Sequence, residues 1–515
     1  MNPTDEQLSI IQSTRSSPAS LRILAYAGCG KTTTLQLLGE TIKSPALALA
    51  FNKSTANEFS KRFAGNFTTK TINSLGYGAW TRANPQVASW KLDANKTGKL
   101  VTQISKDRKL DLTSDQWDSA RRLTSAAMQA GITPGDIGDP MAPDTEDSWL
   151  SLAEQLYLDP DDAALLLDIA HEALERDILE AKRGTISFDD QVYCPTVLGG
   201  KWAKFPVVLG DEAQDFSPLN HRILALSLRP DGRLIVCGDP KQSIYGFRGA
   251  DHQSMDTLLG LRPDWQSLPL TLTYRCPHAI VERQQTHAPG FRAAAEAPEG
   301  QIKHVRNPEH TLCESWPGWT FTTIMESLPS PESSAAILCR NNGPLLGLAF
   351  KLIRRGIGPV MLGRDIGKGL VSLSRKISPD DNTPAASFAS AILDWELHET
   401  SLARANDHEE RIAGIVDRAE CLRATLANSE ARDAGTVRVL LERLFARESG
   451  QITLSSIHKA KGLEWDLVLH LDPWRIPAKQ AKGNPAQMAQ ELNLRYVAET
   501  RSKHTLILAN LADFR

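Results

Sequence analysis

No apolar stretch in the 515 residues approaches the roughly 18 needed to cross a bilayer as a helix. The opening MNPTDEQLSIIQ has neither the basic cluster nor the apolar core of a secretion signal. Cysteine is sparse: seven residues, scattered singly, with no CxxC pair and an odd total, so neither a zinc site nor a disulfide framework is indicated. A reducing cytoplasm is the expected location. An excess of positive charge is missing too. The formal net charge is −3 and the pI about 6.5, without the basic footprint that many nucleic-acid binders carry. That absence leaves open a protein that follows a single strand through a local basic groove with stacking aromatics. Internal repeats are also lacking.

What is present is ordinary for a globular chain: 41% hydrophobic and 23% charged residues, at a length that allows two to four domains. Two regions carry short apolar runs alternating with helical patterns. In the first, Leu21 to Ala25, Ala46 to Phe51, Val207 to Leu209 and Leu234 to Cys237 read as buried parallel strands. In the second, Ala335 to Leu338, Ile452 to Leu454, Leu467 to Leu469 and Leu506 to Leu508 read the same way. An α/β fold with two parallel-sheet cores is expected. Each core is interrupted by a mainly helical stretch without strand-like runs, over 82–180 and 366–450. SLPSPESS and KISPDDNTPAAS read as loops or linkers.

The segment LRILAYAGCGKTTTL reads as strand, glycine loop and helix. Gly28 and Gly30 let backbone N–H groups curl around phosphate oxygens, with Cys29 between them. Lys31 is placed to meet the β- and γ-phosphates of ATP and the Thr32 hydroxyl to hold Mg²⁺, with Thr33 next in the helix. The full GxxxxGK[ST] pattern is not met, because Ala25 stands where its first glycine belongs.

FPVVLGDEAQD puts two carboxylates at a strand end. Adjacent acids after a strand are usually a solvated turn. In one core with Lys31 they point instead to nucleotide hydrolysis, Asp211 anchoring Mg²⁺ through water and Glu212 orienting and deprotonating the attacking water. LIVCGDPKQSIYGFRGA is another strand ending in polar residues. Its Gln242 is placed to sense the γ-phosphate, and Phe247 with Arg248 to meet DNA.

Taken in order, these elements resemble the UvrD, Rep and PcrA family of superfamily 1 helicases. AYAGCGKT is similar to the family's AGAGSGKT, in which alanine also replaces the first glycine. TDEQ resembles its Q motif, which makes Gln7 the adenine contact. GDEAQD resembles the DExxD-type acidic motif, with Gln214 at its glutamine. LTLTYRCP resembles the NYR element, implying that Tyr274 stacks on adenine and Arg275 is an arginine finger. ITLSSIHKAKGLEWDLVLH resembles TxHxAKGLEF, with Glu464 at the ribose contact and Trp465 in place of phenylalanine. LNLRYVAETRSKHTLIL resembles LxYVAxTRAK, making Arg501 the second γ-phosphate arginine. FNKS and IYGFRGA are similar to F-box DNA helicases and small phage or bacterial relatives. Phe51, Asn73 and His458 fall at DNA-contacting positions, Asn73 standing where the family usually has histidine.

The resemblance implies two RecA-like motor domains with two insertions. Motor 1A would take residues 1–81 and 181–270, insertion 1B residues 82–180, motor 2A residues 271–365 and 451–515, and a reduced insertion 2B residues 366–450. ATP and Mg²⁺ are the implied cofactors, with ATP between the motors. Single-stranded DNA and duplex junctions are the implied partners, with room for an accessory protein and no membrane. Travel would run 3′→5′, in the cytoplasm and at the nucleoid of a bacterial or phage-infected cell. A non-motor P-loop enzyme such as a kinase leaves the GLE and YVAxTR elements without purpose. A catalytically dead scaffold is at odds with intact Lys31, Glu212, Arg275 and Arg501.

Overall fold

The computed structural model describes residues 3–50, 53–63, 65–156, 158, 162–244, 253–305, 319–330, 332–405 and 409–514. The chain forms two compact units. The first comprises residues 1–25 and 30–270, the second residues 26–29 and 271–515. Among the described residues, no helix is long and apolar enough to cross a membrane.

The first unit is built on six parallel strands: β1 (Ser20–Ala25), β2 (Ala46–Ala50), β3 (Phe67–Thr71), β4 (Phe205–Gly210), β5 (Leu228–Gly238) and β6 (Trp265–Leu270). Their order across the sheet is β3-β2-β4-β5-β1-β6. All pairings are parallel, as in Leu21 opposite Ile235 and Ala46 opposite Val207. Every residue of β2, ALALA, is buried, which is what a strand covered on both faces requires. Among the described residues, the first helical stretch packs into the core of this sheet. Leu123, Met128, Ile169 and Leu174 belong to the same buried cluster as Leu47, Leu49 and Val208 of the sheet.

The second unit repeats the plan with β7 (Gln301–His304), β8 (Ala335–Cys339), β9 (Pro359–Met361), β10 (Ile452–Ser456), β11 (Trp465–Leu471) and β12 (Ser502–Ala509). Their order is β7-β12-β11-β8-β10-β9, again all parallel. The helices Arg364–Ile377, Ala385–Ala405, Glu409–Asn428 and Ala434–Ala446 fill the second helical stretch. They too share the sheet's core, where Phe388, Leu422 and Leu441 are buried with Ile337, Leu454 and Leu469.

All eight apolar runs read as strands fall on strands, the second as far as Ala50 because Phe51 lies outside the described residues, and the α/β class with two parallel sheets holds. β3, β6 and β7 carry mixed or polar sequences (FTTKT, WQSLPL, QIKH) and lie at sheet edges, where one face or edge is wet and the apolar run disappears, whereas the edge strand β9 (PVM) is apolar but only three residues long. One expectation is corrected. The stretch 82–180 is not free of strand, because Lys91–Leu92 pairs in parallel with Thr185–Ile186. Two residues are too few to leave a periodic signature.

Candidate active site

The glycine loop follows β1, and the helix Lys31–Thr41 begins directly after it. Gly28 and Gly30 both have left-handed backbone, φ 72° and 76°, a conformation that costs glycine little and other residues much. The first N–H groups of an α-helix have no intrahelical partner and point outward, so this helix start can receive phosphate oxygens. The donor set fits a nucleotide.

Lys31 does not wait unpaired. Its Nζ lies 3.1 Å from Glu212 Oε2. Burial alone would lower the Lys31 pKa, but Glu212, Asp239 and Asp211 together outweigh it and raise it, so the ammonium is firmly charged. Glu212 sits at the end of β4 with φ 53°, left-handed backbone that a non-glycine residue adopts only when its surroundings hold it there. The hold is visible: Gln214 Nε2 donates to Glu212 Oε2 at 2.5 Å, and Gln214 Oε1 accepts from the Asp239 N–H at 2.9 Å. Gln242, almost fully buried, donates to Asp239 Oδ2 at 2.6 Å. Lys31, Glu212, Gln214, Asp239 and Gln242 thus form one connected network at the carboxyl ends of β1, β4 and β5, where open α/β sheets bind ligands.

Asp211 is buried, with the Glu212 N–H donating to its Oδ1 at 2.9 Å. Burial, then the neighbouring Glu212 charge, push its carboxyl up to about 7, although Lys31 opposes. A buried carboxylate held partly protonated is short of positive charge. Asp211, after β4, and Thr32, in the first turn of the helix, carry hard oxygens of the kind Mg²⁺ takes alongside phosphate and water.

Gln7 lies beside the loop, its Nε2 donating to Thr34 Oγ1 at 3.0 Å and its Oε1 accepting from the Thr4 N–H. An adenine contact would draw on an amide already engaged at both ends. Thr33 is exposed in the first turn of the helix. Asn73 opens the helix Ile72–Ala83, and its Nδ2 donates to the Phe188 carbonyl at 2.8 Å.

In the second unit the Tyr26–Cys29 segment is held through its backbone. The Ala27 N–H donates to the Tyr496 hydroxyl, Thr273 Oγ1 donates to the Ala27 carbonyl, and the Tyr274 N–H donates to the Gly28 carbonyl. Gly28 is pressed from this side, since a Cβ there would stand 2.4 Å from the Arg275 Cβ. Cys29 is buried, its Sγ 3.8 Å from the Ala27 carbonyl. Tyr274 is half exposed, as a residue that offers its ring to a base must be. Arg275 Nε donates to Glu464 Oε2 at 2.6 Å. Despite partial burial, which raises it, the Glu464 carboxyl lies below its ordinary range because Arg275, then Lys503, stand by it.

Arg501 is 1% exposed, and its guanidinium donates to the carbonyls of Val497 and Leu463 and to Thr500 Oγ1. Arg275 and Glu464 therefore meet, whereas Arg501 is buried on backbone groups. His458 stands half-buried in the short helix Ile457–Ala460, with Lys459 exposed beside it. Trp465 is buried in β11. Phe51, Phe247 and Arg248 lie outside the described residues.

Two family models match this chain: the UvrD/REP helicase N-terminal domain over residues 4–260 and the UvrD-like helicase C-terminal domain over 396–512. The chain belongs to the UvrD-like DNA helicases. Among curated relatives it is similar to F-box DNA helicase protein 1 of Schizosaccharomyces pombe, 24% identical over 98% of this chain and 57% of the relative. It is likewise similar to the ATP-dependent DNA helicase UvrD2 of Mycobacterium tuberculosis, 25% identical over 95% of this chain and 76% of that protein. DNA helicase II of Escherichia coli is 26% identical over 54% of this chain and 39% of its own length.

For a UvrD-like helicase, two exposed aromatics among the described residues that no motif pointed to are informative. Phe188 is 54% exposed in the first unit, and Trp474 is 60% exposed in the second, with the Arg475 guanidinium 4.9 Å from its ring centre. Nothing in SFDD or DPWR distinguishes an exposed ring from a core one.

Proposed function

We propose that the chain is an ATP-driven motor that travels along single-stranded DNA, in the 3′→5′ direction. The observation that carries this reading is the Lys31–Glu212–Gln214 network beside a glycine loop and helix start in a UvrD-like chain. Lys31 would bind the β- and γ-phosphates of ATP, and Glu212, oriented by Gln214, would take the proton of the attacking water. Thr32 and Asp211 would hold Mg²⁺, which when bound neutralises charge on the phosphate oxygens. Gln242 would read the γ-phosphate through its bond to Asp239. Arg275 and Arg501 would meet the transferred phosphoryl group, Arg275 by leaving Glu464 and Arg501 by leaving its carbonyls. Gln7, Tyr274 and Glu464 would hold the adenosine. DNA would be held by Phe51, Asn73, Phe247, Arg248 and His458, with Phe188 and Trp474 added on the ground of their exposure. The units correspond in this reading to motors 1A and 2A, each carrying its helical insertion.

A second reading is a DNA-stimulated ATPase that serves as the motor of a repair or anti-phage complex and unwinds little by itself. That Phe388, Leu422 and Leu441 of the helices of 366–450 are buried in the core of the second sheet favours it. ATPase assays with and without oligodeoxythymidylate, followed by unwinding of duplexes tailed at either end, test both readings. ATPase activity indifferent to DNA would defeat the motor reading. Unwinding that requires a 5′ tail would reverse the polarity.

A further inference from the structure

We infer that the helical insertion of the first unit carries a subsite for a nucleobase of the bound strand, with Trp117 as its wall. The inference rests on the DNA-motor reading. A cleft of about 490 Å³ opens in this insertion, large enough for a nucleotide. Trp117, from the helix Ser114–Ala130, forms one side, and the exposed Phe188 contributes a second aromatic surface.

The Trp117 ring and the backbone that carries Phe188 are both held before any ligand arrives. Trp117 Nε1 donates to Thr102 Oγ1 at 2.9 Å, and its ring lies over Gly98, where a Cβ would come within 2.9 Å of it. The turn bearing Phe188 is tied on both flanks. The Phe188 carbonyl accepts from Asn73, and the Ser187 N–H donates to Asp190 Oδ2 at 2.6 Å. Asp190 is itself locked by buried Lys96, whose Nζ also lies 2.7 Å from Asp177. A ring held as Trp117 is loses little freedom on stacking, and ordering of side chains is part of the cost of such a contact.

The cleft's charge selects the class of ligand. Its two rim cations are already paired, Lys99 with Asp93 at 2.5 Å and Arg121 with Asp118 at 2.8 Å. Inside, Ser125 Oγ donates to Asp189 Oδ2 at 2.7 Å. A near-neutral cleft with an aromatic wall and hydrogen-bonding groups suits a base rather than a phosphate. The link from Phe188 to Asn73, at the start of a helix that follows β3, puts the cleft's edge next to a position where UvrD-like chains are expected to contact DNA. A base entering it would come from that strand.

The test compares oligodeoxythymidylate with an abasic oligomer of the same length, using half-maximal stimulation of the full chain's ATPase. Stacking is typically worth roughly 5- to 150-fold per base. Trp117→Ala should weaken thymidylate by a factor in that range while leaving the abasic strand and the DNA-free ATPase unchanged, and Trp117→Phe should recover most of the loss. Equal loss on both strands, or no loss, overturns the subsite. Should Trp117→Ala fail to fold, photocrosslinking of the unaltered chain to an iododeoxyuridine-substituted strand decides. Recovery of a crosslinked peptide containing Trp117 supports the proposal, and crosslinks confined to other peptides refute it. Displacement of that crosslink by millimolar thymidine monophosphate would assign the cleft to a free nucleotide and overturn the strand assignment. Failure of the motor reading itself looks different: neither strand stimulates the wild-type ATPase.

Discussion

Arg275 Nε lies 2.6 Å from Glu464 Oε2, so two side chains expected to touch the nucleotide touch each other instead. Both are partly exposed, and such pairs contribute only about 0–1 kcal/mol. Exchange of Glu464 for a phosphoryl oxygen is therefore cheap, and the pair parks the arginine without trapping it. Arg275→Ala should reduce ATP turnover by about 10³-fold or more and move the melting temperature by no more than a degree or two. A large drop in melting temperature would assign Arg275 to structure, and near-normal turnover would remove it from the reaction.

The Lys31–Glu212 pair separates binding from chemistry. Lys31→Ala should abolish hydrolysis by losing the phosphate contact. Glu212→Gln should still bind ATP yet hydrolyse it about 10²- to 10⁴-fold more slowly, the range of a lost general base. Nucleotide binding measured by equilibrium dialysis beside steady-state turnover distinguishes the two. A Glu212→Gln variant with normal turnover would exclude Glu212 as the base.

Asp211 makes the nucleotide-free protein pH-dependent in a stated direction. Its carboxyl rises from an ordinary 3.8 to about 7 because burial and Glu212 disfavour its charge. Between those values the folded chain holds more protons than the unfolded chain, so this group's contribution is full at low pH and is lost as pH rises through 7. Asp211→Asn should raise the melting temperature at pH 8 and leave it nearly unchanged at pH 4.5, while hydrolysis falls. The same increment at both pH values would show that charge is not the cause.

Much of this was legible in the sequence, for physical reasons that also mark where reading stopped. Strands such as ALALA and AAILC are covered on both faces and so become unbroken apolar runs. Lys31 announces itself at the end of a glycine loop, and Asp211 and Glu212 directly after a strand, because phosphate chemistry needs those side chains at those places. Partnerships between distant residues were not legible. That Gln214 would bridge Glu212 to Asp239, that Arg501 would be buried on carbonyls, or that Asn73 would hold Phe188 depends on packing that no local pattern encodes. The exposure of Phe188 and Trp474, against the burial of Trp465, follows from which elements happen to cover each ring.

His470 in β11 was invisible for the same reason. It is fully buried, neither ring nitrogen has a hydrogen-bond partner among the described residues, and burial lowers its pKa to about 4, with Glu499 3.9 Å away opposing. Between that value and the ordinary 6.5 the unfolded chain holds more protons than the folded one. Stability on this account is intact above pH 6.5 and is lost as pH falls toward 4. The full effect is on the order of 3 kcal/mol. His470→Leu, which removes an unbonded polar ring, should flatten the acid limb of a melting-temperature profile between pH 5 and 7. An unchanged acid limb would place the sensitivity elsewhere.

The last prediction concerns the helices of 366–450. Travel along a strand needs two motor units that grip and release, whereas splitting a duplex also needs a surface that holds the duplex ahead. A large insertion with its own core can swing to supply that surface. Here Phe388, Leu422, Leu441 and Phe445 are buried in one core with Ile337 and Leu454 of the sheet, so the helices are joined to their motor by apolar burial. Detaching them would expose several large side chains, each costing about 1.5–3 kcal/mol, which is too much for a routine swing. We therefore expect robust single-strand translocation, measured by arrival at an end-labelled terminus. Duplex separation should be weak for a lone monomer and rise on addition of a partner or at higher protein concentration. Single-turnover unwinding of a long duplex by protein shown to be monomeric, at the rate of its translocation, would decide against this expectation.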